Sequence, residues 1–461
     1  MSVSTKRKRE SNENDNKNVK LFVTPNKTYS SRPIPFKQID LNSKLPKVEI
    51  CHFSEIPREI REVLFSILTP NDLYKLSLTS HEYYGYVNDF LRSSMGLVYL
   101  KAFLSNKNTT KSTVISDDRI KSIGRLYRLL TCLETINRRI QVYKDVLFIK
   151  LHLLPGKEIE DVRSAGRFLS EAIATWPERD LEILYSQFDH HLLLKKKIEQ
   201  FYTSKEVGTE PELEMDIRSC FRLMYFDSIQ ISYIRGCFLN LILRNRPIWF
   251  QARLFLNLFG SVTQGKIDWQ MFNRDRINQH PSIDEEQVYF DMSRGFRVLD
   301  FSSQSKKLWN SNSKLALFTE LTTQPSAWSL EYKAELLFYC TSELLSNTLI
   351  AYATKGYFHD YGNLIQALTL ASRQNIQRYR MIQTGVNQSF ERLPLLSQRN
   401  VVLQHINYAF RSTASRLLEQ LQTPGMRPAE YRRCLQLLEY YDGHKVALMS
   451  FLFTNNYISS N

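Results

Sequence analysis

The stretch from residue 56 to residue 76 reads IPREIREVLFSILTPNDLYKL. Pro57 suits the first turn of a helix, where its missing N–H group costs nothing. After it, apolar side chains recur at a spacing that places them on one face of a helix. They are Ile60, Val63, Leu64, Ile67 and Leu68. The pattern predicts an amphipathic helix with a single apolar stripe.

The next residues predict two more short helices. Thr69 can act as an N-cap, with Pro70 as the first helical residue and Asp72 as the capping partner. Leu73 and Leu76 give this second helix its apolar face. A third helix follows, with Tyr83, Val87, Phe90 and Leu91 on one side. Three short helices cannot shield this much aliphatic surface by themselves, so the unit is expected to pack against a partner.

This order of residues resembles the F-box, whose usual pattern is Leu-Pro-x-Glu-Leu, then Ile-Leu-x-x-Leu, then Asp/Pro-x-Asp-Leu. The resemblance implies a three-helix unit that binds the adaptor Skp1 and joins a cullin-RING ubiquitin ligase. The residues that it places on the Skp1-facing surface are Ile56, Pro57, Ile60, Leu64, Leu68, Pro70, Leu73 and Leu76. The family's Val-x-x-x-Trp is replaced by Leu78-Thr79 and Tyr83-Tyr84. The alternative interpretation is a helical hairpin of a larger domain.

Composition favours an all-α chain, because 27 Phe and 24 Tyr stand against only 15 Gly and 15 Pro in 461 residues. We predict a disordered basic tail over 1–50, the F-box over 51–95, and a large helical substrate-binding or scaffold domain over 96–461. Apolar residues at helical spacing fill this last region, without Trp-Asp blades, leucine-rich repeats or a fixed period. The sequence therefore predicts an irregular helical solenoid or bundle.

Several short runs in the helical region carry a second resemblance. They are Trp249-Phe250-Gln251-Ala252-Arg253-Leu254, Phe259-Gly260, Trp269-Gln270, Pro325-x-x-Trp328 and Ala409-Phe410. In these runs the chain resembles the F-box-only protein 47 family. That resemblance implies a Skp1-binding subunit that acts in the germline, in meiotic prophase and homologous chromosome pairing. From the residues alone, Trp249, Phe259, Trp269 and Trp328 are expected to fill the interhelical core.

The net charge of +14 is distributed unevenly, because residues 1–50 hold eleven Lys and Arg against five acidic residues, a net +6. Lys6, Arg7, Lys8 and Arg9 resemble a nuclear import signal. We therefore expect a nuclear protein, with the cytoplasm as the alternative. The other +8 is expected to be diluted along many helix faces as a solvated surface. Direct nucleic-acid binding would use stretches such as Arg138-Arg139, Lys195-Lys196-Lys197 and Arg427 to Arg433.

The sequence offers no pattern typical of an enzyme, a metal site or a cofactor site. Its six cysteines lie far apart without a Cys-x-x-Cys pair, and His190-His191 has no ligand partner at the usual spacing. Phosphate-binding loops, zinc-protease motifs and nucleophile elbows are missing from the sequence. The polar N-terminus predicts no secretory signal, and polar residues interrupt the most apolar stretch, so no membrane partner is expected.

Three functions follow as hypotheses. The first is a non-catalytic adaptor, in which the F-box recruits Skp1 and the helical region holds a substrate for ubiquitylation by proximity. The second is a nuclear helical scaffold at meiotic chromosomes that acts without degradation. Direct nucleic-acid binding is a third class.

Overall fold

A computed structural model describes residues 53–105, 113–150, 159–204, 206–274, 281–301, 308–372, 375–422 and 427–454. The predicted tail and its basic cluster, Lys6 to Arg9, lie outside these ranges. By contacts the chain divides into two units, Met1–Ile56 and Pro57–Asn461. The predicted boundary between residues 95 and 96 therefore falls inside the second unit, and the three predicted domains stay a prediction.

Within the described ranges the chain is helical apart from one small hairpin. The first helices are α1 (Arg58–Ile67), α2 (Pro70–Ser77), α3 (His81–Arg92), α4 (Ser94–Ser105), α5 (Thr113–Leu130), α6 (Ile136–Lys144) and α7 (Ile159–Ala172). The middle helices are α8 (Glu178–Leu192), α9 (Leu194–Thr203), α10 (Pro211–Phe221), α11 (Ser232–Leu243), α12 (Ile248–Phe259) and α13 (Ile283–Val298). The last helices are α14 (Ser311–Leu321), α15 (Leu330–Tyr339), α16 (Ser342–Thr354), α17 (Phe358–Ser372), α18 (Ile376–Glu391), α19 (Leu396–Leu421) and α20 (Pro428–Thr454).

Shorter elements connect some of these helices. There are 3₁₀ turns at Phe53–Glu55 and Met271–Asn273, and π-helical segments at Asp145–Lys150 and Arg222–Phe226. The strands β1 (Val262–Thr263) and β2 (Lys266–Ile267) pair antiparallel, with Val262 opposite Ile267 and Thr263 opposite Lys266. The predicted all-α class is confirmed.

The caps of the first helices form as the sequence predicts. The Thr69 hydroxyl accepts a hydrogen bond from the Asp72 backbone N–H at 3.2 Å, and the Asp72 carboxylate accepts one from the Thr69 N–H at 3.3 Å. This capping box begins α2 with Pro70 in its first turn. The Ser80 hydroxyl likewise accepts from the Tyr83 N–H at 3.1 Å and begins α3. Local sequence therefore fixes both helix starts.

The first three helices share a core with the helices that follow them. Leu73 on α2 has no exposed surface, and α2 packs against α3 and α5. The Tyr84 hydroxyl donates to the Leu130 carbonyl at 2.8 Å, and the Tyr99 hydroxyl donates to the Leu68 carbonyl at 2.8 Å. Close approach requires a glycine at residue 96, because a Cβ atom there would lie 2.1 Å from the Phe90 carbonyl oxygen. The three-helix unit is thus joined to α4 and α5 by packing.

From α10 onward the helices stack in two layers. One layer runs α10, α12, α14, α16, α18, and the other runs α11, α13, α15, α17, α19; each helix contacts the next member of its own layer. Helix α20 closes this stack against α17, α18 and α19. Such an alternation buries a continuous core between neighbouring helix pairs and defines a solenoid. Of the two predicted architectures, the solenoid is confirmed.

Of the four aromatic side chains predicted to fill the interhelical core, three are buried. Phe259, Trp269 and Trp328 are buried, and the Trp328 ring stacks on the Phe272 ring at 3.8 Å between centroids. Trp249 does not follow this prediction. It lies in the first turn of α12, is 37% exposed, and stacks on Tyr202 of α9 at 5.4 Å. Its helix buries the face that carries Phe250, so the indole is left at the surface.

Candidate functional site

Helix α1 presents an apolar stripe to the outside of the chain. Ile60, Val63, Leu64 and Ile67 are 53%, 47%, 40% and 74% exposed. At about 100° per residue, these four positions fall within a ~100° arc of the helix. A soluble chain normally turns such a stripe toward its own core, so this exposed surface is a candidate binding site.

The opposite side of α1 explains why the stripe faces outward. Phe65 is the buried apolar residue of this helix, and its ring packs on Phe90 of α3 at 5.6 Å between centroids. The Arg61 guanidinium lies over the Tyr86 ring at 4.0 Å. Glu62 is largely covered and pairs with Arg58 at 2.9 Å. One phenylalanine and charged side chains therefore hold α1 against α3, which leaves the aliphatic residues outside.

The structure divides the eight residues predicted to face Skp1 into three groups. Pro57, Ile60 and Leu64 are exposed. Ile56, Leu68 and Leu76 are half-buried. Pro70 and Leu73 are buried. The structure thus brings Ile60 and Leu64 together on one exposed stripe, whereas Leu73 serves the interior of the chain. Whether any of these residues touches Skp1 stays a prediction.

Two residues of the stripe were missing from the predicted set, namely Val63 and Ile67. The helical period that predicts α1 includes both, so the signal was present in the sequence. Val98 on α4 is also missing from the set and is 66% exposed. Helix α4 packs against α1, yet the sequence around Val98 has no pattern that would mark its outward orientation.

Two titratable groups near the stripe, Asp72 and Tyr86, have shifted pKa values. The hydrogen bond from the Thr69 hydroxyl, at 2.7 Å, holds the pKa of the Asp72 carboxyl below its usual value. The hydrogen bond that the Tyr86 hydroxyl donates to the Glu82 carboxylate raises the pKa of Tyr86. Neither shift places a titration near neutral pH. The surface is suited to binding through apolar contact and not to proton transfer.

A cavity of about 130 Å³ lies between α3, α5 and α6, and Arg92, Tyr127 and Arg138 are among the residues that line it. The Tyr127 hydroxyl is buried and makes no hydrogen bond within the described part of the chain. Burial raises the pKa of this hydroxyl above its usual value. The lining residues do not form a nucleophile–base pair or any other catalytic arrangement.

The remaining candidates from the sequence have structural contacts. The His191 ring lies 4.2 Å from the Phe148 ring, and burial lowers the pKa of His191. Among the described residues, no group of three or more His, Cys, Asp or Glu is arranged to hold a metal ion. No helix in the described ranges is long and apolar enough to cross a membrane.

In two of the basic stretches, at least one side chain is bound to another group of the chain. The Arg139 guanidinium donates to the Glu134 carbonyl at 3.0 Å. Lys197 pairs with Asp216 at 2.7 Å, whereas its neighbours Lys195 and Lys196 are exposed. The two stretches lie on different helices, α6 and α9.

Comparison with known proteins supports the helical stack directly. The family model described as FBXO47, ARM repeats, matches residues 191–427, which begin in α8 and end where α20 starts. F-box only protein 47 of Homo sapiens is 22% identical to the chain over 397 residues, which is 84% of this chain and 85% of the human protein. No solved structure matches the chain.

Proposed function

The chain belongs to the family FBXO47, ARM repeats, and on this premise we propose that it is the substrate-recognition subunit of an SCF (Skp1-cullin-F-box) ubiquitin ligase. In this role the chain transfers no ubiquitin itself. It holds a substrate near the enzyme that carries ubiquitin, so that the effective concentration of substrate lysines rises.

One observation carries this proposal, namely the exposed aliphatic stripe of α1. Its four side chains are held outward by packing of Phe65 and Arg61 on α3. An amphipathic helix that lays apolar residues into a partner's groove gains most of its affinity from a few aliphatic anchors. Ile60 and Ile67 are the most exposed of the four, so they are the anchors that the geometry favours.

The ARM-repeat stack supports the part of the proposal that concerns substrate binding. Stacked helix pairs create extended surfaces on which repeat proteins bind other proteins. Resemblance to the F-box-only protein 47 family supports a role in the germline, in meiotic prophase and chromosome pairing. The basic cluster Lys6, Arg7, Lys8 and Arg9 supports action in the nucleus. Both stay proposals, as does the identity of the substrate.

The proposal is tested by co-expression of the full chain with Skp1. We expect the wild-type chain to co-purify with Skp1 and the double variant Ile60→Asp, Ile67→Asp to lose it. The matched control is Ile283→Asp with Ile376→Asp, which places the same charges on two other exposed isoleucines, at the starts of α13 and α18. This control should bind Skp1 as the wild type does, and all three chains should give the same circular dichroism.

Two results would contradict the proposal. One is a wild-type chain that does not co-purify with Skp1, and the other is a stripe variant that binds Skp1 as well as the control does. If Skp1 binds but blocking the cullin changes the abundance of no protein, the chain acts as a scaffold without degradation.

A further inference from the structure

The positive charge of the helical region is concentrated at its C-terminal end. Residues 373–433 contain ten arginines, no lysine and three glutamates, a net charge of +7. Since residues 1–50 carry +6 of the total +14, the rest of the chain carries only +1. The expectation that the charge is diluted along many helix faces is therefore wrong. Of the +8 outside residues 1–50, +7 falls between residues 373 and 433, a range that includes α18, α19 and the start of α20.

Some of these arginines are used inside the solenoid. Arg378 pairs with the buried Glu335 at 2.9 Å and donates to the Ala371 carbonyl at 2.7 Å. The Arg399 guanidinium donates to the Leu393 carbonyl at 2.8 Å. Such contacts are structural, and these two side chains are not available to a ligand.

The exposed arginines of this range include Arg380, Arg392, Arg411 and Arg416. In the described part of the chain, none of the four has a carboxylate within ion-pair distance. Their side chains are free to meet an external anion. Arginine suits this task because its planar guanidinium binds phosphate through two parallel hydrogen bonds.

An exposed aromatic ring lies on the same helix as two of these arginines. Tyr408 of α19 is 61% exposed, and Arg411 follows it by one turn on the same side. Arg416 is two turns beyond Tyr408, about 12 Å along the axis at 1.5 Å per residue. The His359 ring of α17 lies 6.3 Å from the Tyr408 ring, which limits where the phenol can lie. We call the surface formed by Tyr408, Arg411 and Arg416 the α19 surface.

We propose that the α19 surface binds single-stranded nucleic acid, either DNA or RNA. Arg411 and Arg416 bind phosphates, and an unpaired base stacks on the Tyr408 ring. Proteins that hold single strands combine cationic grooves with exposed aromatic side chains in this way. An acidic protein would satisfy the arginines but would leave the exposed tyrosine without a role. This activity goes beyond the adaptor function and needs no Skp1.

The test measures binding of the full chain to labelled oligothymidylate and oligouridylate of about 20 nucleotides, longer than a typical single-strand site. Fluorescence anisotropy is recorded across a series of salt concentrations. For the double variant Arg411→Gln, Arg416→Gln, we expect the slope of log affinity against log salt to fall by about 1.4, from about 0.7 per lost phosphate contact on a single strand. Tyr408→Ala should weaken binding by about tenfold and leave that slope unchanged.

Two controls separate this surface from unspecific attraction by the basic tail. Lys195→Gln with Lys196→Gln removes the same charge from exposed positions on α9 and should leave both quantities unchanged. Replacement of Lys6, Arg7, Lys8 and Arg9 by glutamine can lower the overall affinity, but the tenfold effect of Tyr408→Ala must persist in that background.

Each of the following results supports or overturns the proposal. Preference for either oligonucleotide supports it and identifies the nucleic acid. A chain that binds neither strand, or an arginine variant that behaves as the lysine control does, overturns it. Tighter binding of a duplex than of the single strand also overturns it, because a stacked base pair cannot use Tyr408. If polyglutamate competes as well as the oligonucleotides, the surface serves an acidic protein and the proposal fails.

Discussion

Leu73→Ala and Ile60→Ala should affect different properties of the chain. Leu73→Ala should lower local stability, whereas Ile60→Ala should weaken binding of Skp1. Leu73 is fully buried where α2 packs on α3 and α5, so truncation leaves a cavity and costs about 3 kcal/mol of local stability. Ile60 is 53% exposed, and alanine is the better helix former. Its truncation should therefore cost less than about 1 kcal/mol.

Amide hydrogen exchange of the full chain, followed by mass spectrometry, measures both effects at once. Exchange within a helix follows the free energy of local opening. Since every 1.4 kcal/mol is a factor of ten, Leu73→Ala should speed exchange of the α2 amides by about a hundredfold. Ile60→Ala should leave exchange in α2 nearly unchanged and should weaken co-purification with Skp1.

The reverse pattern would refute this reasoning. If Leu73→Ala leaves exchange in α2 unchanged and removes Skp1, Leu73 belongs to a binding surface and not to the interior. If Ile60→Ala speeds exchange as strongly as Leu73→Ala does, the stripe on α1 is part of a core.

Other predictions concern single groups. Tyr127→Phe should raise the thermal midpoint, because it removes a buried hydroxyl that makes no hydrogen bond in the described part of the chain. The free energy of unfolding should rise by about 1 kcal/mol. Tyr143→Phe should lower the midpoint and cost about 1 kcal/mol of stability, since the Tyr143 hydroxyl hydrogen-bonds with Thr131 and with the Ala172 carbonyl. If the two variants shift the midpoint in the same direction, the hydrogen bonding inferred for these two hydroxyls is wrong. The pKa of Asp72 is lowered by its bond from the Thr69 hydroxyl, so this carboxylate stabilises the folded chain above its unfolded pKa and the effect is lost as the pH falls through the lower folded pKa. The thermal midpoint of Asp72→Asn should therefore approach that of the wild type below about pH 4, and a constant difference at every pH would contradict this.

Features set by neighbouring residues could be predicted from the sequence. Pro57 and the period of apolar residues predict α1, and the Thr69 to Asp72 capping box predicts where α2 begins. Each depends on contacts within a few residues, so no knowledge of distant helices was needed.

The direction in which a helix faces could not be predicted in this way. The spacing of the apolar residues in α1 does not say whether they face a core or a partner, and it does not show that Phe65 turns inward to pack on Phe90 of α3. Leu73 and Ile60 belong to the same motif by spacing, but only the packing of α5 on α2 separates interior from surface. Trp249 is exposed for a similar reason, since its place in the first turn of α12 leaves it beyond the neighbouring helices.

The solenoid was predicted, but its repeating unit could not be read from the sequence because the helices differ in length. Helix α15 has 10 residues and α19 has 26, so no fixed period appears along the chain. The alternation of layers shows only in which helices touch.

The core that the three-helix unit shares with α5 fixes where α1 lies relative to α5. A partner seated on α1 is connected to α5 through Leu73 and the Tyr84 bond to Leu130. Helix α5 packs in turn on α7, and α7 packs on the π-helical segment Arg222–Phe226 that also contacts α10 of the solenoid. Reach is then set by the number of stacked helices, because each added helix in a layer extends the solenoid by about 10 Å. Under the proposed function, the lysines that receive ubiquitin are those that this fixed distance brings to the enzyme, whichever residues the substrate uses to bind.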